Sequence, residues 1–233
     1  MLHPSLIGAR ACVFDAGGTL IHPDWQRLAA LALEVSGRTF GADEMRRAFG
    51  EMLKRVGAET PSGSVIDQTG RHWTFRAMYG GLGLDTEACE SIVCGIDRAH
   101  AERHIWCGPD AEAPRVLEEL GREGLRLAVV SNTEDGLARD ALEAAGLASY
   151  FELVVDSHLV GYRKPDPAIF RLALERLGVG AGEAAFVGDS YAHDALAARA
   201  VGMRAILLDP LGLHAESACT RIESLGDLLR GEV

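Results

Sequence analysis

The chain has 233 residues, of which 48% are hydrophobic, and this is enough for a core in one or two domains. Its 23 Lys and Arg residues against 34 Asp and Glu give a formal net charge of −11, which argues against a nucleic acid partner held by its phosphates. The five cysteines show no CxxC spacing, and no apolar run has the roughly 18 residues of a membrane-spanning helix, so we predict a cytoplasmic protein with no membrane partner.

The first hundred residues predict one strand and then a helical stretch. Residues 10–15 form a short apolar run that ends at Asp15, which is typical of a parallel strand buried on both faces. Apolar residues then recur at helical spacing, in two segments between residues 24 and 56 and again at 73–79 and 87–101. The polar segment 59–70 predicts a loop. Because no strand is indicated between residues 21 and 103, we interpret this span as an all-helical insertion.

The rest of the chain alternates between helix and strand. Strands are predicted at 125–130, 151–155, 184–187 and 205–208, and helices at 111–123, 135–145, 166–177, 191–201 and 225–230. Alternating units of this kind form a parallel sheet with helices on both faces. We therefore predict an α/β protein, in which a doubly wound parallel sheet (Rossmann-like core, residues 1–20 and 104–233) carries an inserted all-helical cap domain (residues 21–103).

Several polar residues and glycines stand where the predicted strands end. They are Asp15, Gly17, Gly18 and Thr19 after the first strand, Ser131 and Asn132 after the second, Asp189 and Asp194 after the fourth, and Lys164 in an extended segment between them. Each alone has a structural explanation, since serine and aspartate cap helices and lysine is common in exposed turns. The carboxyl ends of parallel strands meet at one crevice, however, so together these residues predict a phosphate site.

The three acidic residues of this set predict a metal site. If Asp15, Asp189 and Asp194 converge beside Lys164, three negative charges face one positive charge, and the carboxylates repel one another in a partly dry crevice. A divalent cation would remove this imbalance. Oxygen donors without histidine or cysteine favour Mg²⁺.

Four short motifs contain the residues of this predicted site: Asp-x-x-Gly-Thr at 15–19, Ser-Asn at 131–132, Lys-Pro-Asp-Pro at 164–167 and Gly-Asp-Ser-x-x-x-Asp at 188–194. Together they resemble the motifs of the haloacid dehalogenase-like hydrolase superfamily, in the subgroup with a helical cap between the first two motifs. The resemblance implies that Asp15 is a nucleophile that forms a covalent aspartyl intermediate, with Thr19 positioning its loop. Ser131 and Lys164 would hold the transferring group, with support from Asn132. The implied Mg²⁺ ligands are Asp15, Asp189, Asp194 and the backbone carbonyl of Gly17.

One position departs from the pattern of the family. Phosphatases of the family usually carry a second aspartate two positions after the nucleophile, where it protonates the leaving oxygen and later activates water, but this chain has Gly17 there. Loss of a general acid typically costs about 10²–10⁴ in rate. His22 and Asp24 are the nearby residues that could replace it, and the alternative interpretation of both is an exposed linker to the cap.

Gly17 also leaves a rival function open, because a halide leaving group requires no proton. The 2-haloacid dehalogenases resemble the chain at Asp-Ala-x-Gly-Thr, but they work without metal and lack the acidic Gly-Asp that Asp189 completes here. We therefore favour a Mg²⁺-dependent phosphatase that acts on a small anionic metabolite, either slowly or on good leaving groups. The alternatives are a metal-independent 2-haloacid dehalogenase and a binding or regulatory protein that has lost catalysis. The oligomeric state stays open.

Substrate choice in such an architecture would come from cap residues that face the crevice. The candidates are Trp25, Arg27, Arg71, Trp73 and Arg76, and their alternative role is packing between the helices or exposure to solvent.

Overall fold

The computed structural model describes residues 1–59 and 71–231, which form two compact units. One unit comprises Met1–His22 and Gly108–Val233, and the other comprises Pro23–Cys107. The predicted loop at 59–70 lies, from residue 60 onward, outside the described residues. In the described part of the chain, no helix is both long and apolar enough to cross a membrane.

A parallel sheet is the centre of the first unit. The strands in chain order are β1 (Ala11–Phe14), β2 (Ile21–Pro23), β3 (Trp106–Pro109), β4 (Arg126–Ser131), β5 (Leu153–Asp156), β6 (Ala184–Gly188), β7 (Arg204–Leu208) and β8 (Thr220–Ile222). Among the described residues, six of them form one sheet in the order β5-β4-β1-β6-β7-β8, and every pairing in it is parallel. All residues of β1 and β6 are buried, as the continuous apolar runs predict for strands covered on both faces.

Helices account for most of the remaining chain. In chain order they are α1 (Trp25–Ser36), α2 (Ala42–Glu59), α3 (Arg71–Gly81), α4 (Thr86–Glu102), α5 (Ala113–Arg122), α6 (Ala138–Ala144), α7 (Ser157–Val160), α8 (Pro167–Leu177) and α9 (Ala197–Ala200). The first four belong to the second unit, and the other five lie between the strands of the sheet along the chain, with α7 and α8 both between β5 and β6. The predicted α/β class with a parallel, Rossmann-like sheet is therefore confirmed.

The structure corrects the sequence analysis in several short elements. The prediction that no strand lies between residues 21 and 103 is wrong, because β2 begins at Ile21 and pairs with β3 as a two-stranded sheet. Both strands are only three or four residues long, and each finds its partner more than 80 residues away, so neither leaves a local pattern. The predicted helix at 191–201 starts as a π-helix over Tyr191–Leu196, and the last predicted helix is a 3₁₀-helix over Leu225–Leu229.

The helical unit has an aromatic core of its own. The Trp25 and Phe49 rings meet edge-on at 6.0 Å between centroids, and Phe49 meets Trp106 at 5.9 Å. Arg27 donates to the backbone carbonyls of Ala99 and Arg103, and Arg76 forms an ion pair with Glu90. These contacts favour a packing role over substrate contact for Trp25, Arg27 and Arg76.

Candidate active site

The first strand delivers a carboxylate to the carboxyl end of the sheet. The backbone N–H of Asp15 donates to the carbonyl of Val187 at 2.9 Å, which extends the pairing of β1 with β6 one residue past the strand. The chain then turns sharply, because the carbonyl of Ala16 accepts from the N–H groups of Leu20 (2.8 Å) and Ile21 (2.9 Å). Asp15 is only 6% exposed, so the turn holds a carboxylate that the protein nearly encloses.

Two glycines let acidic side chains approach the backbone closely. Gly18 has a φ of +91°, and a Cβ atom placed there would lie 2.0 Å from Oδ2 of Asp189. A Cβ atom at Gly188, the last residue of β6, would lie 2.4 Å from Oδ2 of Asp194. A side chain at either position would displace a carboxylate, which explains in physical terms why glycine stands in both motifs.

We expect Gly18→Ala to disturb the site as well as the fold. Alanine at a φ of +91° is strained by about 1–3 kcal/mol, and its methyl group would also push Asp189 away. Gly146→Ala is the matched control, because Gly146 has a φ of +72° and nothing within 4 Å of an added Cβ. Urea denaturation measures the stability of both variants, and Mg²⁺ titration measures their metal affinity. If both variants lose stability and Mg²⁺ affinity equally, the specific contact with Asp189 is contradicted.

Lys164 joins two of the acidic residues. Its Nζ atom donates to Oδ1 of Asp15 at 2.5 Å and to Oδ1 of Asp194 at 2.7 Å, and its side chain is 3% exposed. The other oxygen of Asp194 accepts from the backbone N–H of Ser190 at 2.9 Å. Three stretches of chain therefore meet at one ammonium group.

Asn132 fixes the backbone that carries Lys164. Its side-chain oxygen accepts from the N–H of Lys164 at 2.8 Å, and its amide nitrogen donates to the carbonyl of the same residue at 2.9 Å. The Lys164–Pro165 peptide bond is cis, and Asp166 then caps α8 by accepting from the N–H of Ala168 at 2.8 Å. The Ser-Asn and Lys-Pro-Asp-Pro segments are thus joined directly.

Three carboxylates converge at this point. One oxygen from each of Asp15, Asp189 and Asp194 lies within 4.8 Å of the other two, so the donor set could hold a metal ion. The donors are all carboxylate oxygens, which are the ligands that Mg²⁺ prefers. Among the ion pairs of the described residues, Lys164 is the one cation that contacts these carboxylates. The residues present therefore fit a divalent cation that prefers oxygen ligands, such as Mg²⁺.

Burial and the neighbouring charges shift the pKa values of Asp15, Asp189 and Lys164. Burial raises the pKa of Asp15 to about 6, against the lowering effect of the Lys164 charge. Burial also raises the pKa of Asp189 well above its usual value, and the charges of Asp15 and Asp194 raise it further. For Lys164 burial lowers the pKa, but the two carboxylates outweigh it and the net shift is upward. The net upward shift keeps Lys164 charged beside these carboxylates at neutral pH.

Ser131 and Thr19 lie where the sequence analysis expects polar groups of the site. Ser131 is the last residue of β4, is 5% exposed, and lies opposite Asp156 in the sheet. Thr19 is fully buried, and its hydroxyl has no hydrogen-bond partner among the residues that the structure describes. Gly17 forms an isolated bridge with Ile21 in the turn after β1. The metal and catalytic roles of these residues stay predictions.

The two proposed substitutes for the missing acid have local partners. His22 places Nε2 at 3.4 Å from Oδ2 of Asp110. Asp24 caps α1 by accepting from the N–H of Arg27 at 3.1 Å, and it forms an ion pair with Arg103. These contacts favour a structural role for both residues.

The sequence analysis missed a polar group beside the site. Asp156 ends β5 as Asp15 follows β1, and it is 3% exposed. Thr133 follows the Ser131-Asn132 pair and donates its hydroxyl to Asp156. An aspartate at the end of an apolar strand is the signal that could have found it.

Comparison with known proteins gives relatives for this arrangement. The family model described as haloacid dehalogenase-like hydrolase matches residues 9–202. A phosphoserine phosphatase of Thermus thermophilus is 48% identical over 139 residues, which are 60% of this chain and 54% of that protein. Phosphatase MT3486 of Mycobacterium tuberculosis is 29% identical over 95% of this chain and 97% of its own length.

Solved structures share the fold over almost the whole chain. A phosphatase from Thermococcus onnurineus is 27% identical, with a TM-score of 0.60 and coverage of 94% of this chain and 95% of that one. Solved 2-haloacid dehalogenases also match, at 23–24% identity, a likeness that shows the fold alone.

Proposed function

Because the chain belongs to the haloacid dehalogenase-like hydrolase family, we propose that it is a Mg²⁺-dependent phosphatase acting on a small phosphorylated metabolite. Family membership makes the chain a hydrolase, and the names of its relatives support the phosphatase type. The observation that carries the proposal is the convergence of three carboxylates at Lys164. Such a cluster is costly without a cation, and a bound Mg²⁺ would offset the negative charge and also attract the phosphate of a substrate.

Asp15 would be the nucleophile. One of its carboxylate oxygens forms a bond to phosphorus while the bond from phosphorus to the leaving oxygen breaks, and the phosphoryl group stays on Asp15 as an acyl phosphate. Water then attacks that phosphorus, which releases phosphate and restores the carboxylate. The position of Asp15 supports this role, because the residue is 6% exposed and Lys164 holds one of its carboxylate oxygens in place.

Lys164 and Ser131 would hold the transferred group. The ammonium of Lys164 already contacts Asp15, so it can offset charge that develops on the phosphoryl oxygens. Ser131, at the end of the neighbouring strand β4, would donate its hydroxyl to one of those oxygens. Asn132 acts on the substrate indirectly, because its side chain binds both backbone groups of Lys164.

Asp15, Asp189 and Asp194 would hold Mg²⁺, together with the backbone carbonyl of Gly17. When bound, the ion supplies charge stabilisation for the phosphoryl group. We also propose that the helical unit, Pro23–Cys107, is the cap that selects the substrate. Gly17 cannot donate a proton, so the substrates that turn over fastest should have leaving groups that need none, such as acyl and aryl phosphates.

A substrate panel tests the function. We expect acyl and aryl phosphates to release phosphate with Mg²⁺, alkyl phosphates to react about 10²–10⁴-fold more slowly, and EDTA to stop the reaction. Asp189→Asn should raise the Mg²⁺ concentration needed for half-maximal activity. Colorimetric phosphate release measures each of these.

The same panel separates the rival functions. It includes 2-chloropropionate, and halide release that survives EDTA would replace the phosphatase with a dehalogenase. If the folded protein releases neither phosphate nor halide, a binding or regulatory role would take its place.

A further inference from the structure

A buried carboxylate that the proposed chemistry does not use lies beside the site. Asp156 ends β5, directly opposite Ser131 at the end of β4, and is 3% exposed. Its oxygens accept three hydrogen bonds, from the Thr133 hydroxyl, the N–H of His158 (2.9 Å) and the N–H of Ala138 (3.0 Å). The last of these bonds falls on the first residue of α6, which begins three residues later than the sequence predicts.

Thr133 is held at every polar group. Its hydroxyl donates to Asp156 and accepts from the N–H of Gly136 at 3.3 Å. The backbone N–H of Thr133 donates to the hydroxyl of Ser157 at 3.0 Å. That hydroxyl in turn donates to the backbone carbonyl of Thr133 at 3.3 Å. The residue that follows Ser131-Asn132 is therefore fixed to the end of β5 by both backbone and side chain.

The hydrogen bonds continue into the site. Asn132, bonded covalently to Thr133, holds both backbone groups of Lys164. Lys164 in turn donates to Asp15 and Asp194. A contiguous set of contacts thus leads from the buried carboxylate of Asp156 to the proposed nucleophile.

We propose that Asp156 is a positioning residue for the groups that hold the transferred phosphoryl. By holding Thr133, Asp156 fixes the orientation of Ser131 and Asn132. Because Asn132 binds the backbone of Lys164, Asp156 also fixes the position of Lys164. The proposal rests on the proposed function, since it assigns those residues to the phosphoryl group. A displacement of about 1 Å at such groups can cost on the order of 100-fold in rate, which makes a rigid support at this point consequential.

Four variants test the proposal. Thr133→Val removes the hydroxyl but leaves the hydrogen bonds to Asp156 from the N–H groups of Ala138 and His158. Thr133→Ser keeps a hydroxyl at this position. Asp156→Asn replaces the carboxylate that accepts these bonds with an amide.

Asp209→Asn is the matched control, because Asp209 is 4% exposed just after β7 and also accepts three hydrogen bonds. They come from the N–H groups of Leu213 (2.8 Å) and His214 (2.9 Å) and from the Arg221 guanidinium (3.1 Å). Asp209 makes no contact with Ser131, Asn132 or Lys164 among the hydrogen bonds of the described residues.

Kinetics and hydrogen exchange give separate answers. We expect Thr133→Val and Asp156→Asn to lower kcat/KM for an aryl phosphate by about 10- to 100-fold, with the Mg²⁺ activation constant unchanged. Thr133→Ser and Asp209→Asn should stay near the wild type. Amide exchange should become faster both at 131–138 and at 162–166 in the two impaired variants.

Several outcomes would overturn the proposal. Unchanged kcat/KM in the folded Thr133→Val variant would mean that Asp156 only caps a helix. Faster amide exchange confined to residues 131–138 would mean the same. If Asp156→Asn fails to fold, Thr133→Val decides. An inactive wild type would instead refute the phosphatase, and the exchange comparison would still decide whether Asp156 positions the Lys164 segment.

Discussion

Asp15→Asn is expected to abolish phosphate release. The amide is a poor nucleophile and cannot form the acyl phosphate, and removal of a nucleophile costs on the order of 10⁴-fold or more. The fold should survive, because the substitution is nearly isosteric and removes one of three mutually repelling acids. Phosphate release with Mg²⁺ and an aryl phosphate measures the loss, and mass spectrometry of acid-quenched enzyme should find a phosphoryl adduct on the wild type alone.

Asp209→Asn is the control for this experiment as well. It makes the same chemical change at a buried carboxylate after β7 and should keep its activity. Wild-type turnover in a folded Asp15→Asn variant would mean that the nucleophile is a different group.

Gly17→Asp is expected to raise turnover of alkyl phosphates by about 10²–10⁴-fold, because it supplies the proton that an alkoxide leaving group needs. The backbone allows the change, since Gly17 does not have the positive φ of Gly18. The gain should be much smaller for an aryl phosphate, whose leaving group needs no proton. Initial rates with one ester of each kind, at the same Mg²⁺ concentration, measure the difference.

Gly17→Asn separates proton donation from a simple effect of size. It fills the same space without an ionisable group, so its alkyl phosphate rate should stay near the wild-type value. Equal gains in the two variants, or no gain in a folded Gly17→Asp variant, would refute the role assigned to this position.

The sequence predicts the family and the main elements of the fold because their signals are local. The recognition of the family from four motifs is confirmed, and so is the α/β class. The strand that precedes Asp15 is visible in the sequence as an apolar run.

What the sequence could not predict depends on distant partners. β2 pairs with β3, whose residues follow only after four helices. Residues 135–137, the predicted start of a helix, are not helical: Gly136 has a left-handed φ of +78°, and Asp156, which comes later in the chain, binds the N–H of Ala138. The spacing of the motifs also could not show that the side chain of Asn132 binds the backbone of Lys164.

The place of β1 in the sheet bears on how the protein is made. β1 is synthesised first among the strands, yet its two neighbours are β4 and β6, which leave the ribosome only after the whole helical unit. During translation the apolar residues of β1 therefore wait without a strand partner, while the helices of residues 23–107 have their contacts close by in the chain. The helical unit should consequently reach its native form on the nascent polypeptide well before the enzyme has a crevice in which to bind anything.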